Sequence, residues 1–291
     1  MSAKGSWHLQ EGDAVTPELT AMRLLGGGSA YEAYLAFDEV TYGPVVVKVV
    51  RPDQVDDEHT LRGLGREVET LARVNHPVVV RGLRHQLDGE RPHAVLEHIE
   101  GPRLSSLIRR HGRLQPQQYL PLAIEVAGAL HYFRRVDVVH LDLKPSNVIM
   151  GSPARLIDLS IARSRQRAKG SRRIGTDYYM SPEQADPDTH GGPGHEADVW
   201  GLGATLFHAV AGHRAFDKGD ADAERLADRF PQLVRDPHPL PDDVPDVVAK
   251  VVMAALDKRP SARPLPAELA DALEPAVAGL PAPRLTFKVR R

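Results

Sequence analysis

The sequence predicts an α+β fold in two unequal lobes: a small strand-rich lobe with one main helix, then a larger, mostly helical lobe. Three observations point there. Before residue 100 the apolar residues come in short, often β-branched runs divided by glycine-containing turns. One stretch among them has helical spacing instead. After Gly101-Pro102 helical spacing takes over, and glycine and proline cluster only in loops. A chain of 291 residues buries a full core without a disulfide or metal staple.

Taken in order, residues 1–17 are small and polar and read as a flexible lead-in. Residues 19–25, 31–37 and 45–50 read as three successive strands, the first ending in Gly26-Gly27-Gly28 and the third broken only by Lys48. Residues 59–74 set Leu61, Leu64, Val68, Leu71 and Ala72 on one side of a helix. Asn75-His76-Pro77 stops it, because proline drives the residue before it out of the helical region. Residues 78–83 and 94–99 read as two more strands. Helical character then marks 104–110, 119–136, 199–210 and 247–256, with loops at 186–194 and 237–245. The short apolar runs 148–150 and 155–157 suit a pair of strands. The expected division is a lead-in over 1–17, a small lobe over 18–98, a large lobe over 99–277 and a C-terminal extension over 278–291.

Composition narrows the function. Lys plus Arg is 37 against 39 Asp plus Glu, a net charge of −2, which argues against a generic nucleic-acid binder. The absence of cysteine excludes a disulfide scaffold, a zinc–thiolate site, a thiol nucleophile and direct thiol redox control. It agrees with a reducing compartment. No apolar run is long enough to span a bilayer, and residues 1–12 lack the apolar core of a secretory signal. A cytoplasmic protein with no membrane insertion is the expectation.

The chemistry concentrates at a few places. Lys48 interrupts a strand of valines, where a buried ammonium needs an acidic partner or a cleft. Glu67 on the following helix is the candidate partner; Glu69, two positions on, points elsewhere around the helix. Between two apolar runs lies the polar loop His140-Leu141-Asp142-Leu143-Lys144-Pro145-Ser146-Asn147. There Asp142 can accept a hydroxyl proton, Lys144 can steady a phosphoryl group and Asn147 can offer oxygen to a cation. Asp158 ends a further short apolar strand, a place for a hard metal ion. Any one of these alone is more often a turn cap.

Together, and in this order, the segments resemble the bacterial eukaryotic-like (Hanks-type) Ser/Thr protein kinases over about residues 15–275. Gly175-Thr176-Asp177-Tyr178-Tyr179-Met180-Ser181-Pro182-Glu183, Asp198-Val199-Trp200-Gly201-Leu202-Gly203 and Arg259-Pro260-Ser261-Ala262-Arg263-Pro264 complete the match. The resemblance implies a bilobal kinase-like fold with a small antiparallel sheet, and transfer of the ATP γ-phosphoryl group to Ser or Thr hydroxyls of protein substrates. ATP and Mg²⁺, with Mn²⁺ as an alternative ion, are the implied cofactors. Gly26 and Gly28 would close over the phosphates, Lys48 would bind them and Glu67 would hold Lys48. Asp142 would orient the substrate hydroxyl, Lys144 would neutralise the transferring group, and Asn147 and Asp158 would hold the metal. Leu25, Ala33, Leu96, Glu97 and Ile99 would surround the adenine, the last two through backbone groups. Glu183 would pair with Arg263, and Asp198 would anchor the catalytic loop.

The sequence departs from the family pattern in four places. Tyr31 stands at the third glycine of the phosphate loop, with Ala33 two positions on. Leu141 replaces an arginine that would pair with an activation-loop phosphate. Ser160 replaces the glycine after Asp158-Leu159, and the segment 162–174 offers only Ser164 and Ser171 as phosphosites. Activation independent of loop phosphorylation is therefore expected. The arginine-rich segment 163–173 reads as a solvated mobile loop, or more sharply as a surface for acidic substrates or a bound phosphate. A nucleotide-binding pseudokinase or scaffold is the alternative; a small-molecule phosphotransferase fits the Tyr-Met-Ser-Pro-Glu segment poorly. A stand-alone catalytic core is expected, taking its input from a regulatory partner or ligand; sequence leaves its oligomeric state open.

Overall fold

Six strands from the first hundred residues form one sheet in the spatial order β1-β2-β3-β4-β6-β5, every neighbour antiparallel. They belong to a computed structural model that describes residues 5–280. The strands are β1 (Ala14–Thr16), β2 (Leu19–Gly27), β3 (Tyr31–Asp38), β4 (Gly43–Val50), β5 (Gly82–Gln86) and β6 (His93–Glu97). Strand alternation sorts their side chains. Val45, Val47 and Val49 join Tyr34, Ala36 and Val95 in an apolar cluster on one face. The register Ala33↔Lys48↔Ala94 puts those three side by side on the other.

Helix α1 (Glu58–Arg73) begins at Asp57, whose side chain accepts from Thr60 N. Its buried positions Thr60, Leu64, Glu67 and Leu71 fall on one helical face. Glu67 is thus carried into the protein by the same periodicity that buries the leucines. The chain leaves β6 at Glu97 and enters the helical lobe at α2 (Leu104–His111). There follow α3 (Pro116–Arg135), β7 (Val148–Ile149), β8 (Arg155–Leu156) and three short helices, α4 (Arg165–Lys169), α5 (Pro182–Ala185) and α6 (Pro187–His190). The remaining helices are α7 (His195–Ala211), α8 (Leu226–Arg229), α9 (Asp246–Ala255) and α10 (Pro266–Ala278). Helices α3, α7, α9 and α10 pack around Phe133, Trp200, Phe207, Val252 and Leu273. Among the described residues no helix is long and apolar enough to cross a membrane.

The structure corrects several expectations. Part of the 1–17 lead-in is built into the sheet: β1 pairs with β2, and Trp7 Nε1 donates to Val50 O at 2.8 Å. Residues 78–80 are not the start of a strand but dock on the large lobe, with Val80 N donating to Leu156 O at 2.9 Å. The strand begins only at Gly82. Helix α10 escaped the sequence reading because Pro266 and Pro275 resemble breakers; Pro266 stands in its first turn, where its missing N–H has no helical partner to lose. Within the expected 278–291 extension, residues 281–291 lie outside the described residues.

Candidate active site

Three charged residues from three elements meet between the lobes. Lys48 Nζ lies 2.6 Å from Glu67 Oε2 and 3.4 Å from Asp158 Oδ1. Burial by itself disfavours the Lys48 ammonium, but Glu67 and Asp158 outweigh that and hold it protonated well above the usual lysine range. Burial likewise opposes the charge on Asp158, yet Lys48 lowers it to about 2, so its carboxylate is ionised at neutral pH. Glu67 is only 2% exposed and faces Lys48, while Glu69 does neither, as the helical spacing predicts.

A second group sits on the loop before β7. Asp142 Oδ2 accepts from Lys144 Nζ at 2.6 Å and from Asn147 Nδ2 at 3.1 Å. Its Oδ1 accepts from Thr176 Oγ1 at 2.7 Å, and Lys144 also donates to Thr176 at 2.7 Å. Asn147 Nδ2 donates further to Asp142 O, which turns the amide oxygen the other way, free to face a cation. The loop is held from below by Asp198 on α7, whose two carboxylate oxygens accept from His140 N at 2.7 Å and Leu141 N at 2.8 Å. Burial lifts Asp198 to about 6, opposed by His140 and those two backbone bonds.

The nucleotide-cleft candidates also gather. Ala33 is directly opposite Lys48, and Leu96 pairs with Val46. Ile99 packs on the large-lobe core, and Leu25 lies at the exposed end of β2. One expectation is narrowed. The Glu97 N–H is committed to Arg81 O at 3.0 Å, so it is not free for an adenine. The Glu97 side chain binds Arg81 and Arg155 instead and so ties the connecting segment to β8. In the glycine loop Gly26 has φ 144°, a conformation that suits only glycine. The close approach belongs to Gly27, which the sequence reading passed over: a Cβ there would lie 2.6 Å from Tyr31 O.

The model of the protein kinase domain family matches residues 19–272. This chain belongs to that family. It is 33% identical over 268 residues to the DNA damage-responsive serine/threonine-protein kinase RqkA of Deinococcus radiodurans, a match covering 88% of this chain and 39% of the relative. It is 29% identical over 254 residues to serine/threonine-protein kinase PknB of Mycolicibacterium smegmatis, covering 82% and 40%. Against serine/threonine-protein kinase PrkC of Bacillus subtilis the figures are 27% over 249 residues, covering 82% and 38%. The chain thus spans about two-fifths of the length of these curated relatives.

The kinase domain accommodates its departures from the family pattern by local packing. Leu141 joins Val139, Ala168 and Ala197 in an apolar cluster that seats α4. The arginine-rich segment is therefore not simply a solvated loop: α4 starts at Ser164, buries Ala168, and Arg163 Nη1 donates to Ser171 Oγ at 2.9 Å. Gln184 Nε2 stitches the segment to the loop that carries Asp142 through Leu141 O at 2.8 Å and Ile174 O at 3.0 Å. After β8 the left-handed residue is Asp158, with φ 68°, and Ser160 is not among the left-handed residues, so losing a glycine there strains nothing. Glu183 and Arg263 pair at 2.5 and 2.9 Å in the core, as the sequence implied.

Proposed function

We propose that this chain is an ATP-dependent Ser/Thr protein kinase whose catalytic geometry is assembled without phosphorylation of its activation segment. The observation that carries this reading is the joint contact of Lys48 with Glu67 and Asp158, standing across the cleft from the Asp142–Lys144–Thr176 cluster. The names of its relatives support the same activity for the whole protein, and a cytoplasmic site of action is part of the reading.

The donor set fits a nucleotide with a hard divalent ion, Mg²⁺ or Mn²⁺. Asp158 is an ionised carboxylate and Asn147 turns an amide oxygen outward, and such ions prefer oxygen ligands. The bound ion would offset charge on the phosphates. Lys48, held by Glu67, orients the α- and β-phosphates, beneath a lid formed by Gly26, Gly27 and Gly28. Leu25, Ala33, Leu96 and Ile99 offer apolar contact to the base, and the Glu97 carbonyl and the Ile99 backbone offer polar contact. Asp142 takes up the substrate hydroxyl in place of Thr176 Oγ1 and accepts its proton as transfer proceeds. Lys144, already 2.6 Å from Asp142, offsets charge on the moving phosphoryl group.

Purified protein incubated with γ-labelled ATP and a basic acceptor protein, in Mg²⁺ and then Mn²⁺, tests this. Incorporation that disappears in Asp142→Asn is the expected result. Nucleotide binding without incorporation under either ion would replace the kinase with a nucleotide-binding scaffold.

A further inference from the structure

Beside the activation segment opens a cavity of about 710 Å³, lined by His208, His213, Arg214, Phe216, Asp217 and His238. A second cavity of about 340 Å³ shares Phe216 and Asp217 with it and reaches Thr176, Tyr178 and Lys218. Thr176 is the residue bonded to Asp142, so the two cavities form a groove leading away from the hydroxyl-transfer position.

The charges along this groove are unevenly matched. Asp217 is already held by Arg235 at 3.4 Å and His238 at 3.2 Å, and Asp177 by Arg229 at 3.5 Å. Arg214 and Lys218 belong to no ion pair among the described residues. The Arg214 guanidinium lies 3.7 Å from the Tyr178 ring centroid and also reaches the neighbouring Tyr179 hydroxyl, two contacts that hold it in place. The neighbouring His208 meets the Tyr179 hydroxyl through Nδ1 at 2.7 Å and is held neutral by burial, so it adds no competing charge.

We infer that this groove receives the substrate polypeptide beside its acceptor residue, and that Arg214 selects a carboxylate side chain there. The inference rests on the protein-kinase reading above. A guanidinium held in this way, with no carboxylate partner of its own among the described residues, still has N–H donors for one incoming carboxylate. The specificity that follows is for acidic segments, set by α7 and the turn after it rather than by the arginine-rich stretch at 163–173.

The test uses synthetic peptides with one serine acceptor in a neutral background and a glutamate, glutamine, lysine or phosphoserine scanned through about four positions on either side, a span set by the reach of an extended chain. Binding is read by fluorescence anisotropy and phosphorylation by label transfer. Glutamate should be favoured over glutamine roughly tenfold at one or two positions, the scale of a charge-assisted bidentate pair. Arg214→Gln should bring that ratio to about one, and Arg214→Glu should invert it in favour of lysine, an outcome that misfolding cannot imitate. A flat ratio in the unaltered protein, or one that survives Arg214→Gln, overturns the inference. A peptide set that gains from phosphoserine but not from glutamate overturns the carboxylate assignment. If no peptide is phosphorylated the kinase reading fails, while the binding ratio still decides this one.

Discussion

The Tyr31 hydroxyl donates to the carbonyl oxygen of Thr60 at 2.7 Å, joining the start of β3 to the first turn of α1. The same ring lies 4.8 Å from Lys48 Nζ. A residue that departs from the family's glycine thus braces the helix that carries Glu67. Gly63 makes room for it, since a Cβ there would stand 2.7 Å from the Tyr31 hydroxyl. Removing the hydroxyl in Tyr31→Phe should cost about 1 kcal/mol and shift the ratio of assembled to unassembled Lys48–Glu67 pair roughly fivefold toward the unassembled state. Kinetics at varied ATP concentration check this: kcat/KM for ATP should fall, by up to that factor, and an unchanged value would show that α1 is held by other contacts.

The segment around α4 is stapled by packing and hydrogen bonds rather than by a phosphate. Ser164 caps α4, and Ser171 Oγ donates to Arg167 O at 2.8 Å. Changing both to alanine removes a cap, a turn bond and the Arg163 bond to Ser171, each worth about 1 kcal/mol. The Leu141 cluster and the Gln184 bonds remain. Peptide phosphorylation by Ser164→Ala/Ser171→Ala protein should stay within about twofold of the parent, a change worth well under 1 kcal/mol. A collapse of activity, with a normal thermal melt, would mean that a loop phosphate is needed after all.

Arg263 is fully committed in the large-lobe core. Besides Glu183 it donates to Glu196 O and Asp257 O, both at 2.8 Å. Arg263→Ala leaves a buried carboxylate and two carbonyls without their donor. Removing one member of such a pair costs about 3–5 kcal/mol, a fall in Tm on the order of 10 °C for a domain of this size. Calorimetry of the variant checks the magnitude.

His208 confers acid sensitivity. Burial, assisted by Arg214 and His213, lowers it to about 4, whereas an unfolded histidine titrates near about 6.5. The unfolded chain therefore takes up this proton first as the pH falls. The contribution of His208 to stability is complete above about pH 6.5 and is lost progressively toward pH 4. In Tm measurements against pH, the advantage of the parent over His208→Gln should shrink across that window. A constant gap would show that the imidazole titrates alike in both states.

Much of the site was legible because its residues are tied to short-range patterns. Glu67 lies on the face that also buries Leu64 and Leu71, so helical spacing alone selected it over Glu69. Asp142, Lys144 and Asn147 are within six residues of one another, close enough for a single loop to present them together. The burial of Val15 in β1 and the docking of residues 78–80 were not legible, because both depend on partners far along the chain. Helix α10 was not read from the sequence; Pro266 is harmless in its first turn, where there is no N–H partner to lose, while Pro275 is tolerated inside the helix.

The sequence by itself determined the two lobes, their order, and which charged residues are the candidates for the chemistry, since strand and helix periodicities and local spacing are properties of neighbouring residues. Only the tertiary structure decided what the unusual residues do. Tyr31 reaches Thr60 across 29 positions, Gln184 reaches Leu141 across 43, and Arg214 comes to lie on Tyr178. Such contacts exist because two separately formed elements are packed face to face. No local pattern encodes which far element supplies the partner.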